Sequence, residues 1–429
     1  MFPFSFSRGH AAGAVLALLC AGPALAQPTQ SAQSPQPPLQ QLPTLREALD
    51  AAWALAASQR SHPQRVAELE ARARAAGGWM AGPPSVTLAH RTDRLTRNAG
   101  LLELEAELAV PIWNNVARNA SRSQIDADRA LLERQRAASR LKLAGEVREL
   151  AAQAALARAE QTGAASKLAE AGTLAQDVER RVRAGDVARV DALQAQAVVQ
   201  QANASLVQAQ AAMARVRSQW QALTGLAVVA DPASASASVE ANSALASASD
   251  AVNEDHPALA AAAAHAQAAR SRLALAEADR RDPVELSVGS SVSQGESGAG
   301  TQTSIRVAVK IPLGGDIRNA ARIAAARAEV DAAEAESDAV TRQVNADLAV
   351  ARAEVAAARA NEDALQARAR LSAEAQALYA KSYQLGESAL PTRLRADNER
   401  FDADRALGRA RVETQRALSR LHHSLGWLP

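Results

Sequence analysis

Few side chains in this 429-residue sequence stand where they could do covalent chemistry. His422 and His423 are its one local histidine pair, but adjacent residues point to different faces of a helix. No further ligand stands at metal-site spacing. Serines and aspartates are plentiful, yet none falls in the pattern of a nucleophile triad, a phosphate-cradling glycine loop or an H-E-x-x-H helix. The residues therefore argue against an enzyme and imply no cofactor and no resident metal. What remains is charge beside glycine: Asp186 and Asp191 follow Gly185, and Glu387 follows Gly386. Carboxylates gathered at a constriction select cations; at a helix start they simply complement its dipole. Arg181, Arg183, Arg189 and Arg393 lie close enough in sequence to pair with them.

The N-terminus says where the chain goes. Arg8 and His10 precede an apolar run from Ala11 to Leu19, and Ala24-Leu25-Ala26 offers small residues at the two positions a signal peptidase reads. This predicts an export signal over residues 1–26, cleaved after Ala26. The run is too short to span a bilayer. Cys20, the only cysteine, lies inside the signal behind Leu19 rather than a small residue, which argues against lipidation. Processing would leave no thiol, and so no disulfide, cysteine nucleophile or cysteine metal site. Lys and Arg number 48 against 46 Asp and Glu, with no basic stripe to suggest nucleic acid. No later stretch is apolar enough for a transmembrane helix. If the chain enters a membrane, it must do so as strands.

The elements that would position the glycines and acids occur twice. His62-Pro63 matches His256-Pro257, Val110-Pro111 matches Ile311-Pro312, Arg118-Asn119-Ala120 matches Arg318-Asn319-Ala320, and Gly185 matches Gly386, at a lag between 194 and 201 residues. So long a lag indicates a duplicated structural unit rather than a solenoid repeat. After a Pro/Gln-rich, disordered segment (27–43), the first repeat is expected over 44–225 and the second over 256–429, with an equatorial linker at 226–255. Thr44 to Glu47 has the spacing of a capping box. Each His-Pro pair marks a helix start. Strands are expected over 84–112 and 284–313, where Leu102, Leu104, Ala106, Leu108 and Val110 alternate with Glu103, Glu105 and Glu107. Long helices are expected over 115–183 and 316–384, with return helices over 188–224 and 391–425. From Leu143 to Val182 the first long helix carries apolar residues at alternating spacings of four and three, only Gln161 being polar. That is an alanine-rich heptad seam. A helix of this length extends about 100 Å.

Two hairpins give four strands, too few to close a barrel, and open edges in lipid leave backbone groups unpaired. Several chains must share one barrel. Pro111 and Pro312, which cannot donate to a sheet ladder, suit the strand-to-helix junctions. Trp79 and Trp113 flank the first hairpin at one end, as interfacial aromatics or as ordinary packing; the second hairpin has no equivalents. Gly185 and Gly386 supply the left-handed backbone that ends a long helix.

The signal, the duplicated plan and the tips RVRAGDVARVDALQAQ and YQLGESALPTRLRADNER resemble the TolC-type outer-membrane efflux factor family from about residue 44 to 427. The resemblance implies a mainly α fold with a β-barrel part: a homotrimer sharing a 12-stranded transmembrane barrel and a periplasmic α-helical barrel. It implies a passive exit duct in the outer membrane of a Gram-negative bacterium. Its tip would meet a periplasmic adaptor (membrane fusion) protein and an inner-membrane pump of the resistance-nodulation-division type. In such a trimer Asp186, Asp191 and Glu387 would ring the narrow end of the tunnel as a gate. The second tip, LGESAL followed by LRA, is similar to the heavy-metal cation (cobalt–zinc–cadmium) branch, which implies metal cations as cargo, with drugs as the other class. Two rival readings are a periplasmic adaptor and a coiled-coil scaffold. An adaptor has one helical hairpin rather than two, and a scaffold leaves the strand pairs unexplained.

Overall fold

A computed structural model describes residues 42–95, 98–230, 255–295, 300–313 and 316–429. The expected cleavage site after Ala26, nearly all of the 27–43 segment and residues 231–254 of the expected linker lie outside them. Residues 42–429 form one compact unit.

Helix α1 (Leu45–Leu55) opens with the capping box: Thr44 Oγ1 accepts from the Glu47 N–H at 3.2 Å, and the Thr44 N–H donates to Glu47 Oε2 at 2.8 Å. Extended backbone at Ala56 (ψ 136°) separates it from α2 (Ala57–Gly77). Here the structure departs from the expected start at His62-Pro63. The break at Ala56 starts α2 earlier and leaves Pro63 inside the helix, where the Gln59 carbonyl loses its helical donor. In the second repeat the pair does mark the start of the helix that follows, α5 below.

Strands β1 (Ser85–Thr92) and β2 (Leu102–Ile112) lead into α3 (Asn115–Ala184), a single 70-residue helix. The Asn114 side chain accepts from the Val116 N–H at 3.0 Å and caps its start. Helix α4 (Arg189–Thr224) returns. The second repeat follows the same order: α5 (Pro257–Ala278), β3 (Val284–Gln294), β4 (Thr301–Lys310), α6 (Asp316–Gln384) and α7 (Leu390–Ser424). His256 caps α5, with Pro257 in its first turn.

The hairpins join into one antiparallel sheet in the order β1-β2-β3-β4. In register, Val86, Leu108, Val288 and Val307 line up across it on one face. Thr87, Glu107, Gly289 and Arg306 line up on the other. Helix α3 packs against α4, α5 and α7, while α6 packs against α5 and α7. On the heptad seam, Val147, Ala154, Ala157, Ala171 and Val178 are buried. The largest core cluster holds α1 to the middle of α3 through Leu45, Ala48, Ala52, Val147, Ala151 and Ala154, closed by Trp220 from α4.

Candidate functional site

Three regions hold the strand, proline, tryptophan and tip residues singled out in the sequence: the sheet, the strand-to-helix junctions and the two helical tips.

The sheet has one apolar and one charged face. Leu88, Ile305, Val86 and Val307 expose between 67% and 79% of their surface, which is costly in water and favourable in hydrocarbon. On the other face Arg306 pairs with Glu105 at 2.7 Å, Lys310 with Glu285 at 3.2 Å and Arg91 with Glu103 at 3.8 Å. These pairs bridge adjacent strands, or two strands across a third, and stiffen the charged wall. Gly289 lets the wall pass closely, since a Cβ there would lie 3.2 Å from the Ala106 carbonyl oxygen.

At the first junction Pro111 lies inside β2, opposite Glu285, rather than beyond the strand. Its carbonyl still accepts from the Ala81 N–H at 2.9 Å, so the missing donor costs the ladder little. Met80 and Ile112 form a short antiparallel bridge that sets Trp79 beside Trp113, the Trp113 N–H reaching the Trp79 carbonyl at 3.4 Å. Trp79 is 60% exposed, while the Trp113 indole nitrogen is buried without a partner. Arg118, one turn into α3, donates to the carbonyls of Ala76 and Gly77, which lack helical donors at the end of α2. The second repeat repeats this clamp with other residues: Asn319 donates to the Arg280 carbonyl, and Arg322 to the Asp279 carbonyl. Pro312 lies just past β4, outside the strand.

The tips share one backbone motif. Gly185 (φ +85°) donates to the Val182 carbonyl, and Asp186 to that of Arg181. Gly386 (φ +77°) donates to Tyr383, and Glu387 to Ser382. Both are Schellman closures, the glycine supplying the left-handed residue. Asp186 and Glu387 are exposed at the two apices, whereas Asp191 is half-buried in the first turn of α4. The arginines have other partners: Arg181 pairs with Asp177 at 3.3 Å, Arg183 with Glu179 at 3.9 Å and Arg393 with Asp397 at 3.6 Å.

Sequence reasoning missed Tyr383. It is buried with Leu174, Val178, Ala195 and Leu390, where the two hairpins meet. The Arg181 and Arg393 guanidiniums lie 5.0 and 5.4 Å from its ring centroid. Burial, and then the charge of Asp177 and Asp191, raise its phenol above the usual value against the opposing pull of the two arginines. The available signal was an aromatic three residues before the tip glycine, in a chain with only two tyrosines. Beside it lies a cavity of about 530 Å³ lined by Lys167, Asp177, Arg393, Asp397 and Phe401. Among the described residues, no three His, Cys, Asp or Glu side chains are grouped to hold a metal.

Residues 248–427 match the family described as outer membrane efflux protein. The outer membrane protein VceC of Vibrio cholerae superposes with a TM-score of 0.67 at 18% identity, covering 89% of this chain and 96% of that one. The transmembrane channel CusC gives 0.70 at 17% identity, covering 94% and 99%. The open state of the MtrE channel of Neisseria gonorrhoeae gives 0.62 at 18%, covering 90% and 89%. No curated protein matches by sequence. The second repeat thus matches the outer membrane efflux protein family, and about nine-tenths of the chain shares the fold of these outer-membrane channels.

Proposed function

We propose that the protein is the outer-membrane exit duct of a tripartite efflux system, three copies sharing one twelve-stranded barrel and one periplasmic helical tunnel. The observation that carries this is the sheet: four strands, one face apolar and exposed, with β1 and β4 each paired on one side only. Neither feature is stable in one chain, and both are relieved when β4 of one copy meets β1 of the next inside lipid. The helices support the same assembly. On α6, Val350, Ala353, Ala357, Ala360, Ala364 and Leu371 form an exposed stripe at heptad spacing. On α4, Val190, Leu193, Ala197, Ala204, Val207 and Ala211 form another. Within the chain, α3 of the first repeat packs on α7 of the second. The repeat then assigns α6 of one copy to α4 of the next.

In this reading the protein lies in the outer membrane with its helices in the periplasm. The tips at Gly185 and Gly386 meet an adaptor and, through it, an inner-membrane pump of the resistance-nodulation-division type. Asp186, Asp191 and Glu387 form the gate region. The cargo is metal cations, a reading that rests on the likeness of the second tip to the heavy-metal branch; drugs are the competing class. The test is the native mass of processed protein extracted from outer membranes in mild detergent. A trimer beginning at Gln27 supports the duct. A periplasmic monomer or dimer would return the chain to the adaptor or scaffold reading.

A further inference from the structure

A basic cluster closes the far end of α7, remote from the tips. His422 and His423 stand in its last turn, Arg148 comes from α3, and His256 from the start of α5. His256 is 5% exposed, and its Nδ1 accepts from the Ala258 N–H at 3.2 Å. Arg148 is 6% exposed and donates from Nη1 to the Trp427 carbonyl at 2.9 Å. The His422 ring stacks obliquely on Trp427, with centroids 5.5 Å apart. His422 Nε2 and His423 Nδ1 are buried without a hydrogen-bond partner. Two glycines make this fit possible. A Cβ at Gly145 would lie 2.9 Å from His423 Cε1, and one at Gly426 (φ +81°) 2.8 Å from His256 Cδ2.

The charges facing the cluster come from each neighbouring helix. Helix α3 brings Arg148, α5 brings His256, and α6 brings the carboxylate of Asp347, which acts on His423. Burial alone lowers Arg148 to about 10, so it stays charged at any physiological pH. Burial first, and then the Arg148 charge, hold His422 and His423 below the ordinary histidine value; the neighbouring His256 lowers His423 further, while Asp347 opposes. Burial does the same for His256. All three imidazoles are therefore neutral at neutral pH, where the seating is complete. As pH falls below the ordinary histidine value, about 6.5, released imidazoles take up protons more readily than seated ones, and stability is lost.

We propose that His256, His422 and His423 around Arg148 form an acid-released lock, in which neutral imidazoles hold the end of α7 onto α3 and α5 and protonated ones free it. The lock acts on the seam between the two repeats and does not depend on what the duct carries. A release here loosens the end of the second hairpin's return helix from α3 and α5, while Leu421 and Leu425 stay packed against Leu348, Ala351 and Val355 of α6.

Hydrogen–deuterium exchange on the full-length protein in detergent, between about pH 7.5 and 5.5 with the intrinsic pH dependence divided out, tests this. Peptides covering 417–429 and 257–263 should exchange at least roughly threefold faster at the acid end, while the tip around Gly185 does not. The variant H422Q/H423Q, neutral at both pH values, should lose most of that response. Absence of the response in the unmodified protein, or its survival in the double variant, would overturn the lock. Should the variant not assemble, NMR titration of labelled histidines in the unmodified protein decides: imidazoles titrating at or above the ordinary value refute it, and depressed ones uphold it.

Discussion

Arg416 on α7 grips Glu149 on α3 with two guanidinium nitrogens, Nε donating to Oε2 at 2.9 Å and Nη2 donating to Oε1, joining residues 267 apart in sequence. The pair is one rung of a ladder. Farther along the same seam Glu160 meets Arg405 and Arg409, and Glu170 meets Arg400. Acids on the first repeat's long helix are thus matched to arginines on the second repeat's return helix.

Glu149→Gln should lower the melting temperature of the helical part by a few degrees. Its two arginine partners, Arg416 and Arg420, would lose a shared carboxylate, and partly exposed pairs of this kind contribute about 1 kcal/mol or less. Burial opposes the Glu149 charge, but hydrogen bonds from Arg416 and Gln153 prevail and hold its carboxyl below the usual value. A lowered folded pKa means the contribution is complete above the ordinary glutamate range and fades as pH falls through the folded value. Thermal melts of both proteins should therefore converge at strongly acid pH.

Gly386→Ala and Gly185→Ala should each cost about 1 kcal/mol, because both glycines hold positive φ and an L side chain is strained there. Gly163→Ala, in the interior of α3 with open space at its Cβ, should instead stabilise by up to about 1 kcal/mol. Denaturant unfolding monitored by helical circular dichroism separates the two cases.

Trp220→Ala should be the most damaging single core change, at about 3–5 kcal/mol. The indole is fully buried and donates to the Val228 carbonyl at 3.0 Å, so truncation leaves both a void and an unpaired acceptor. The yield of folded protein at elevated growth temperature reports it.

Replacing Asp186, Asp191 and Glu387 together with Asn, Asn and Gln should reduce cation preference in planar bilayers, seen as a reversal potential moved toward zero. An unchanged potential would assign these acids to helix ends and tip closure alone.

Ala360→Glu on the exposed α6 stripe should leave the helices folded but weaken the trimer, since a buried unpaired carboxylate is disfavoured by several kcal/mol. Native mass after extraction would show smaller species. A stable trimer would mean that this stripe faces water.

The duplicated hairpin-and-helix plan was legible because it is written in periods: two along the strands, and three-and-four along α3. Gly185 and Gly386 were legible for the same kind of reason, since ending so long a helix calls for a left-handed residue. The start of α2 was not, because the backbone break at Ala56 carries no turn chemistry and Pro63 is accommodated inside the helix. Tyr383 was invisible as a tip residue, because its neighbours Arg181 and Leu174 come from the other repeat.

Sequence by itself determined the local grammar: which segments alternate, where the helices turn back, and that the unit occurs twice. Those features depend on backbone geometry and on side chains a few positions apart. Only the tertiary structure decided the partners. It paired β2 with β3, set the acids of α3 against the arginines of α7 and gathered His256, His422, His423 and Arg148 from three helices. Such contacts join residues hundreds of positions apart, and no period along the chain records which helix will lie beside which.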